Sequence, residues 1–225
     1  MKKNLVLESV LTYVFFELNK HNINYVVLRN YDSLPHDVGN DLDILIKESE
    51  SEKVDQILKK VLLKYNLFIK RDHIRFSYRG IYLGSNDDSG FDLQIDLYTS
   101  LVKGWITYSD SSIVLTNRIK YKTFYIPEPS HELQAIIYKE LFAYKKVRSK
   151  YDHQINLLKS KISKHGFFEV SSNYISKISA NEVYEIILND KKFDGTSLKP
   201  HLGNVFNIKN MFSWGKFRLK EKLGC

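Results

Sequence analysis

Two aspartates set two apart at the head of an apolar run, Asp41-Leu42-Asp43-Ile44-Leu45-Ile46, place the tightest limit on how this chain folds. The aliphatic residues favour a strand. Because strand side chains alternate, Asp41 and Asp43 point to one face, close enough for their oxygens to grip a cation. Two like charges so near each other are costly unless positive charge offsets them. A bound divalent metal supplies that charge. The preceding Gly39-Asn40 brings backbone and a small amide side chain within reach of a phosphate. A third carboxylate would complete a two-metal site, and Asp96, inside Leu93-Gln94-Ile95-Asp96-Leu97-Tyr98, is the candidate, with Asp92 on the same strand face as the fallback.

The neighbouring segments read as mixed helix and strand. Leu7, Val10, Leu11, Val14, Phe15 and Leu18 recur at helical spacing, which predicts a helix from Leu5 to Leu18; Val54, Ile57, Leu58, Val61 and Leu62 predict another from Ser51 to Tyr65. Strands are expected at Tyr25–Leu28, at Leu67–Lys70, Ile74–Tyr78 and Ile81–Leu83, and at Phe91–Tyr98. After Pro127 and Pro129 the strand signals end. Helices are expected over Glu132–Tyr144, Asp152–Ser163, Phe167–Ile178 and Asn181–Leu188, then a linker over 191–200 and a basic aromatic segment over 204–222. The chain therefore divides into an α/β domain, residues 1–127, and a helical domain, residues 128–225, that carries the basic aromatic tail. The fold class is α+β.

Composition removes several alternatives. A 225-residue chain with 43% hydrophobic and 27% charged residues is long and apolar enough to bury its own core. Its one cysteine, Cys225, excludes an internal disulfide and cysteine zinc sites. With no spanning apolar run and no signal-peptide pattern, a cytoplasmic location is expected. The formal charge of +8 favours anionic partners without choosing among nucleotides, nucleic acid and acidic lipid. No P-loop and no Gly-x-Ser-x-Gly elbow is present. The histidines have no metal-ligand spacing, so His73, His131 and His153 read as surface or capping residues.

Tyr25-Val26-Val27-Leu28-Arg29-Asn30, Leu34-Pro35, Gly39-Asn40-Asp41-Leu42-Asp43-Ile44-Leu45-Ile46 and Ile95-Asp96-Leu97 together resemble the nucleotidyltransferases of the DNA polymerase β-like superfamily, in particular a bacterial branch associated with surface-polysaccharide synthesis. The resemblance covers roughly residues 20–160 and is sharpest from Leu28 to Ile46. It implies a small mixed-sheet nucleotidyltransferase core. It also implies Asp41, Asp43 and Asp96 as catalytic ligands of Mg2+ or Mn2+, with Arg29, Asn30, Gly39 and Asn40 bordering a nucleoside triphosphate. The acceptor implied is a sugar phosphate or other glycan precursor. Arg29-Asn30 stands where the superfamily has a Gly-Ser turn, which leaves a catalytically inactive nucleotide-binding or scaffold module as the alternative.

In the helical half, Lys139 and Lys150 are candidate triphosphate contacts, with Tyr138, Arg148 and Tyr151 beside them as phosphate or base contacts; for the rings of Tyr138, Tyr144 and Tyr151, core or interhelix packing is the preferred reading. The basic tail, with Lys209, Lys216, Arg218, Lys220 and Lys222 among Met211, Phe212, Trp214 and Phe217, suits either peripheral membrane contact or packing on its own domain, and packing is the preferred reading. Nucleic acid has no strong case beyond charge.

Overall fold

The computed structural model describes residues 2–87, 90–188, 205, 211–212 and 214–218. The expected linker over 191–200 and most of the basic segment lie outside the described residues. The chain forms two compact units, one of residues 1–100 with 111–127, the other of residues 101–110 with 128–225.

The first unit is a five-stranded mixed sheet with helices. Helix α1 (Lys2–Lys20) precedes β1 (Tyr25–Val27) and β2 (Leu42–Ile46); α2 (Ser51–Tyr65) is followed by β3 (Leu67–Ile74), β4 (Tyr78–Ser85) and β5 (Asp92–Tyr98). The strand order is β1-β2-β5-β4-β3. Only the β2–β5 pair is parallel; the others are antiparallel. Val14 and Leu18 of α1 meet Ile44 and Ile46 of β2, Ile95 and Leu97 of β5, and Val54, Ile57 and Leu58 of α2, so both helices cover one face of the sheet. Phe15, fully buried, packs against Phe124 at 4.7 Å between ring centres, the two rings tilted by 32°. Removing such a ring costs about 3–5 kcal/mol.

Both long helices end in asparagines that tolerate the left-handed backbone. Asn22 and Asn66 each have φ of 52°, and the Asn66 amide donates to the carbonyls of Leu62 and Leu63. The three short strands expected between Leu67 and Leu83 are instead two long ones joined by a tight turn. Arg75, expected inside the strand Ile74–Tyr78, instead closes that turn, its amide donating to the Tyr78 carbonyl at 2.8 Å. After β5 come strands β6 (Val102–Lys103) and β7 (Ile106–Thr107), helix α3 (Ser111–Thr116), and the hairpin β8 (Ile119–Tyr121) and β9 (Phe124–Ile126).

The second unit takes in β6 and β7, although the sequence places residues 101–110 before the division at 127. Side chains explain the transfer. Gln134 accepts from the Ser109 hydroxyl at 2.9 Å and donates to the Tyr108 carbonyl at 2.7 Å, while the Asp110 amide donates to the Tyr174 hydroxyl. Helix α4 (Pro129–Tyr144) starts earlier than expected because Pro129 occupies its first turn and the Glu128 carboxylate accepts from the amides of Ser130 and His131. Helices α5 (Asp152–Lys159), α6 (Lys164–Ser171) and α7 (Lys177–Leu188) follow. The single helix expected over Phe167–Ile178 is interrupted after Ser171, where Ser172, Asn173 and Ser176 favour caps over helix interior; the Ser176 hydroxyl accepts from the Ser179 amide at 3.2 Å. Trp214 lies beside Gly104 of the β6–β7 turn. Among the described residues, no helix is long and apolar enough to cross a membrane.

Candidate metal centre

Parallel pairing of β2 with β5 sets Asp43 directly opposite Asp96. Strands in such a pair lie about 4.8 Å apart and paired residues project to the same side. Asp41, two residues before Asp43, joins them, and one carboxylate oxygen of each residue lies within 4.8 Å of one from each of the others. Asp43 and Asp96 are buried, at 1% and 4% exposure, while Asp41 is half-buried. Hard, oxygen-only, convergent donors of this kind suit Mg2+ or Mn2+.

Arg29 is part of the same cluster. The Leu28 amide donates to the Asp43 carbonyl at 3.0 Å, extending the β1–β2 pairing by one step and delivering Arg29 to the acids. Its guanidinium forms a two-pronged ion pair with Asp43, through Nε to Oδ2 and through Nη2 to Oδ1 at 2.9 Å, and Nη2 stands 3.8 Å from Asp41 Oδ2. The resemblance places Arg29 beside a triphosphate and leaves the acids to a metal alone. Here the arginine already offsets part of their charge. With all three acids ionised, the cluster keeps two negative charges, the charge a divalent cation balances.

The loop between β1 and β2 is shaped at the positions singled out in the sequence. Asn30 has φ of 56° and Gly39 φ of 65°. Asparagine tolerates that conformation better than most residues, so Asn30 supplies the backbone that a glycine would otherwise provide. The Gly39 amide donates to Asp37 Oδ1 at 2.8 Å, and Asn40 is exposed beside it. Buried Tyr31, Leu34 and Val38 anchor the loop, and Lys122 from the β8–β9 hairpin donates to the carbonyls of Asp32 at 2.8 Å and Leu34 at 3.0 Å.

Gln94 donates to Asp96 Oδ1 at 3.0 Å. Burial pushes the Asp96 carboxyl above the usual range, the Gln94 hydrogen bond pulls it back, neighbouring Asp43 adds to the rise, and Arg29 and His73 oppose it. Asp92 does not join the cluster. It is exposed and paired with Lys70 on β3.

His73 departs from its reading as a surface or capping residue. It is half-buried between Tyr78 and Tyr82, and its Nδ1 is buried with no hydrogen-bond partner among the described residues. No spacing in the sequence points to it. His131 is also half-buried, and burial holds its imidazole below the usual range.

The basic candidates of the helical half belong to the second unit. Lys139 lies over the Tyr108 ring at 5.6 Å, and exposed Lys150 lies 4.9 Å from the Tyr151 ring. Arg148 is committed to structure: its Nε and Nη2 bind the fully buried Glu140 at 2.6 Å each, and its guanidinium stacks on Tyr144. Tyr138 is fully buried against Phe142, Phe167 and Tyr174, and Tyr151 is buried too, so neither ring is open to stack on a base.

Comparison with protein-family models, with curated proteins and with solved structures finds no match.

Proposed function

We propose that the chain is a Mg2+-dependent nucleotidyltransferase, moving a nucleoside monophosphate from a nucleoside triphosphate to a hydroxyl or phosphate oxygen, with a sugar phosphate or glycan precursor as the acceptor class. The observation that carries this reading is the convergence of Asp41, Asp43 and Asp96 on adjacent parallel strands. A divalent cation held by these three carboxylates would offset the charge that builds on the phosphoryl oxygens during in-line displacement.

The chain's own residues supply the rest. Arg29 holds the Asp43 carboxylate in place by its two-pronged contact. The left-handed backbone at Asn30 and Gly39 lets main chain approach phosphate oxygens. Gln94 donates to Oδ1 of Asp96 and steadies the carboxylate that faces both the cation and the acceptor.

The Arg29–Asp43 ion pair also favours a second reading, a non-catalytic nucleotide-binding or scaffold module, because the arginine partly replaces the charge a metal would bring. Pyrophosphate release separates the two. The proposal expects release that requires Mg2+, a nucleoside triphosphate and an acceptor from a panel of sugar phosphates, and that Asp41→Asn abolishes. Metal-dependent thermal stabilisation by triphosphates without any release supports the module instead.

A further inference from the structure

The β-ladder registers align four residues in one row across the sheet: Asp43 pairs with Asp96, Asp96 with Gly80, and Gly80 with His73. Directly paired residues project to the same face, so His73 shares the face of the acidic cluster, two strands beyond Asp96. It does so because of an irregularity. The β3–β4 register shifts between Ile69 and Arg71, where two residues of β3 match one step of β4. A one-residue shift exchanges the faces of all that follows.

Gly80 then lets the histidine reach inward. A Cβ placed on Gly80 would stand 2.3 Å from Cε1 of His73, 2.9 Å from Nε2 and 3.1 Å from Nδ1, so the imidazole fills the space a side chain would take. The ring lies across β4, between its own strand and that of Asp96. Tyr82 stacks on it at 5.7 Å and Tyr78 meets it edge-on at 6.1 Å, which fixes its plane. The same device recurs at Gly84, where Lys70 crosses β4 to reach Asp92. Lys70 thereby gains a partner. The buried Nδ1 of His73 has none among the described residues, and a buried polar atom left unpaired costs about 1–3 kcal/mol.

We propose that His73 binds the acceptor, its imidazole hydrogen-bonding a hydroxyl of a polyhydroxylated compound that lies over β4 against Tyr78 and Tyr82. This rests on the nucleotidyltransferase reading, since it divides that site in two. Arg29, Asn30, Gly39 and Asn40 gather at the β1–β2 end of the row and serve the triphosphate. His73 stands at the opposite end, past Asp96, the residue that faces the acceptor. An imidazole can donate or accept, as a hydroxyl can, and tyrosine rings present apolar faces to the C–H groups of a sugar or polyol.

Nuclear magnetic resonance of full-length protein labelled with 15N-histidine and 15N-tyrosine tests this, with the His73 signals assigned by their loss in His73→Gln. D-glucose, glycerol and inorganic phosphate are titrated separately in the presence of Mg2+ and a triphosphate with a non-hydrolysable α–β bridge. Glucose or glycerol should shift the His73 nitrogens, and His73→Gln should weaken that binding, followed at the Tyr82 amide, by about tenfold, the equivalent of one hydrogen bond. Mn2+ affinity should stay within about twofold, since His73 is no ligand in this scheme. A shift produced by the triphosphate alone or by phosphate alone overturns the assignment, as does the absence of any shift with either hydroxyl compound. Failure of the nucleotidyltransferase reading shows separately, as an inability of the unaltered protein to bind Mn2+ at all.

Discussion

Arg29 and Asp43 meet as a two-pronged ion pair at the centre of the acidic cluster, with the carboxylate buried and the guanidinium about one-fifth exposed. Neither arginine alone nor metal alone balances three carboxylates, and this arrangement makes the two cations complementary.

Arg29→Met leaves Asp43 buried without its counter-charge, a change that typically costs about 3–5 kcal/mol. Much of that loss should be recovered by Mn2+, because a ligand at about 100 times its Kd adds about 2.7 kcal/mol. Urea unfolding with and without Mn2+ checks this. The metal-induced gain should be larger in the variant than in the unaltered protein.

Asp96 gives the metal-free protein a pH signature. Its carboxyl is raised by burial, with Asp43 adding to the rise, so the folded state holds its proton to higher pH than the unfolded chain does. Between those two values the folded state binds more protons, and the Asp96 contribution to stability falls as pH rises. The expected result is a stability loss from about pH 4 upward that Asp96→Asn removes, measured as urea midpoints in chelator. Mn2+ binding should show the opposite trend, tightening as the competing proton leaves.

Gly80→Ala and Gly84→Ala separate two uses of the same strand. At Gly80 the new methyl meets a ring held between two tyrosines, and displacing it should cost about 1–3 kcal/mol and move the His73 resonances. At Gly84 the obstacle is the flexible Lys70 stem, 2.2 Å from the added Cβ, and its exposed ion pair is worth under about 1 kcal/mol. Thermal unfolding of the two variants should rank them in that order.

In the second unit, Glu140→Ala strands Arg148 and empties a fully buried position. Arg148 is about one-third exposed, so the loss should fall toward the low end of about 3–5 kcal/mol. Hydrogen exchange should report it as weakened protection in α4.

Helical periodicity made α1 and α2 legible in the sequence, because one apolar face per helix is enough to mark them. Asp41, Asp43 and Asp96 were legible for a similar reason: charged residues inside apolar strands stand out. His73 was not. Its face depends on the register shift at Ile69 and Arg71, and unbroken alternation would place it with Ile69 on the other side of the sheet. The attachment of residues 101–110 to the second unit was hidden as well, since it rests on Gln134 and Tyr174, distant in sequence. The role of Arg148 follows from Glu140, a buried acid whose burial no local pattern reveals.

Mn2+ binding followed by electron paramagnetic resonance in the unaltered protein, Asp43→Asn and Asp96→Asn tests the shared metal site most directly. The account predicts saturable binding that each substitution weakens by at least about tenfold, the loss of about 1.4 kcal/mol or more expected when a direct ligand is removed. Equal Mn2+ affinity in the unaltered protein and Asp96→Asn would contradict it.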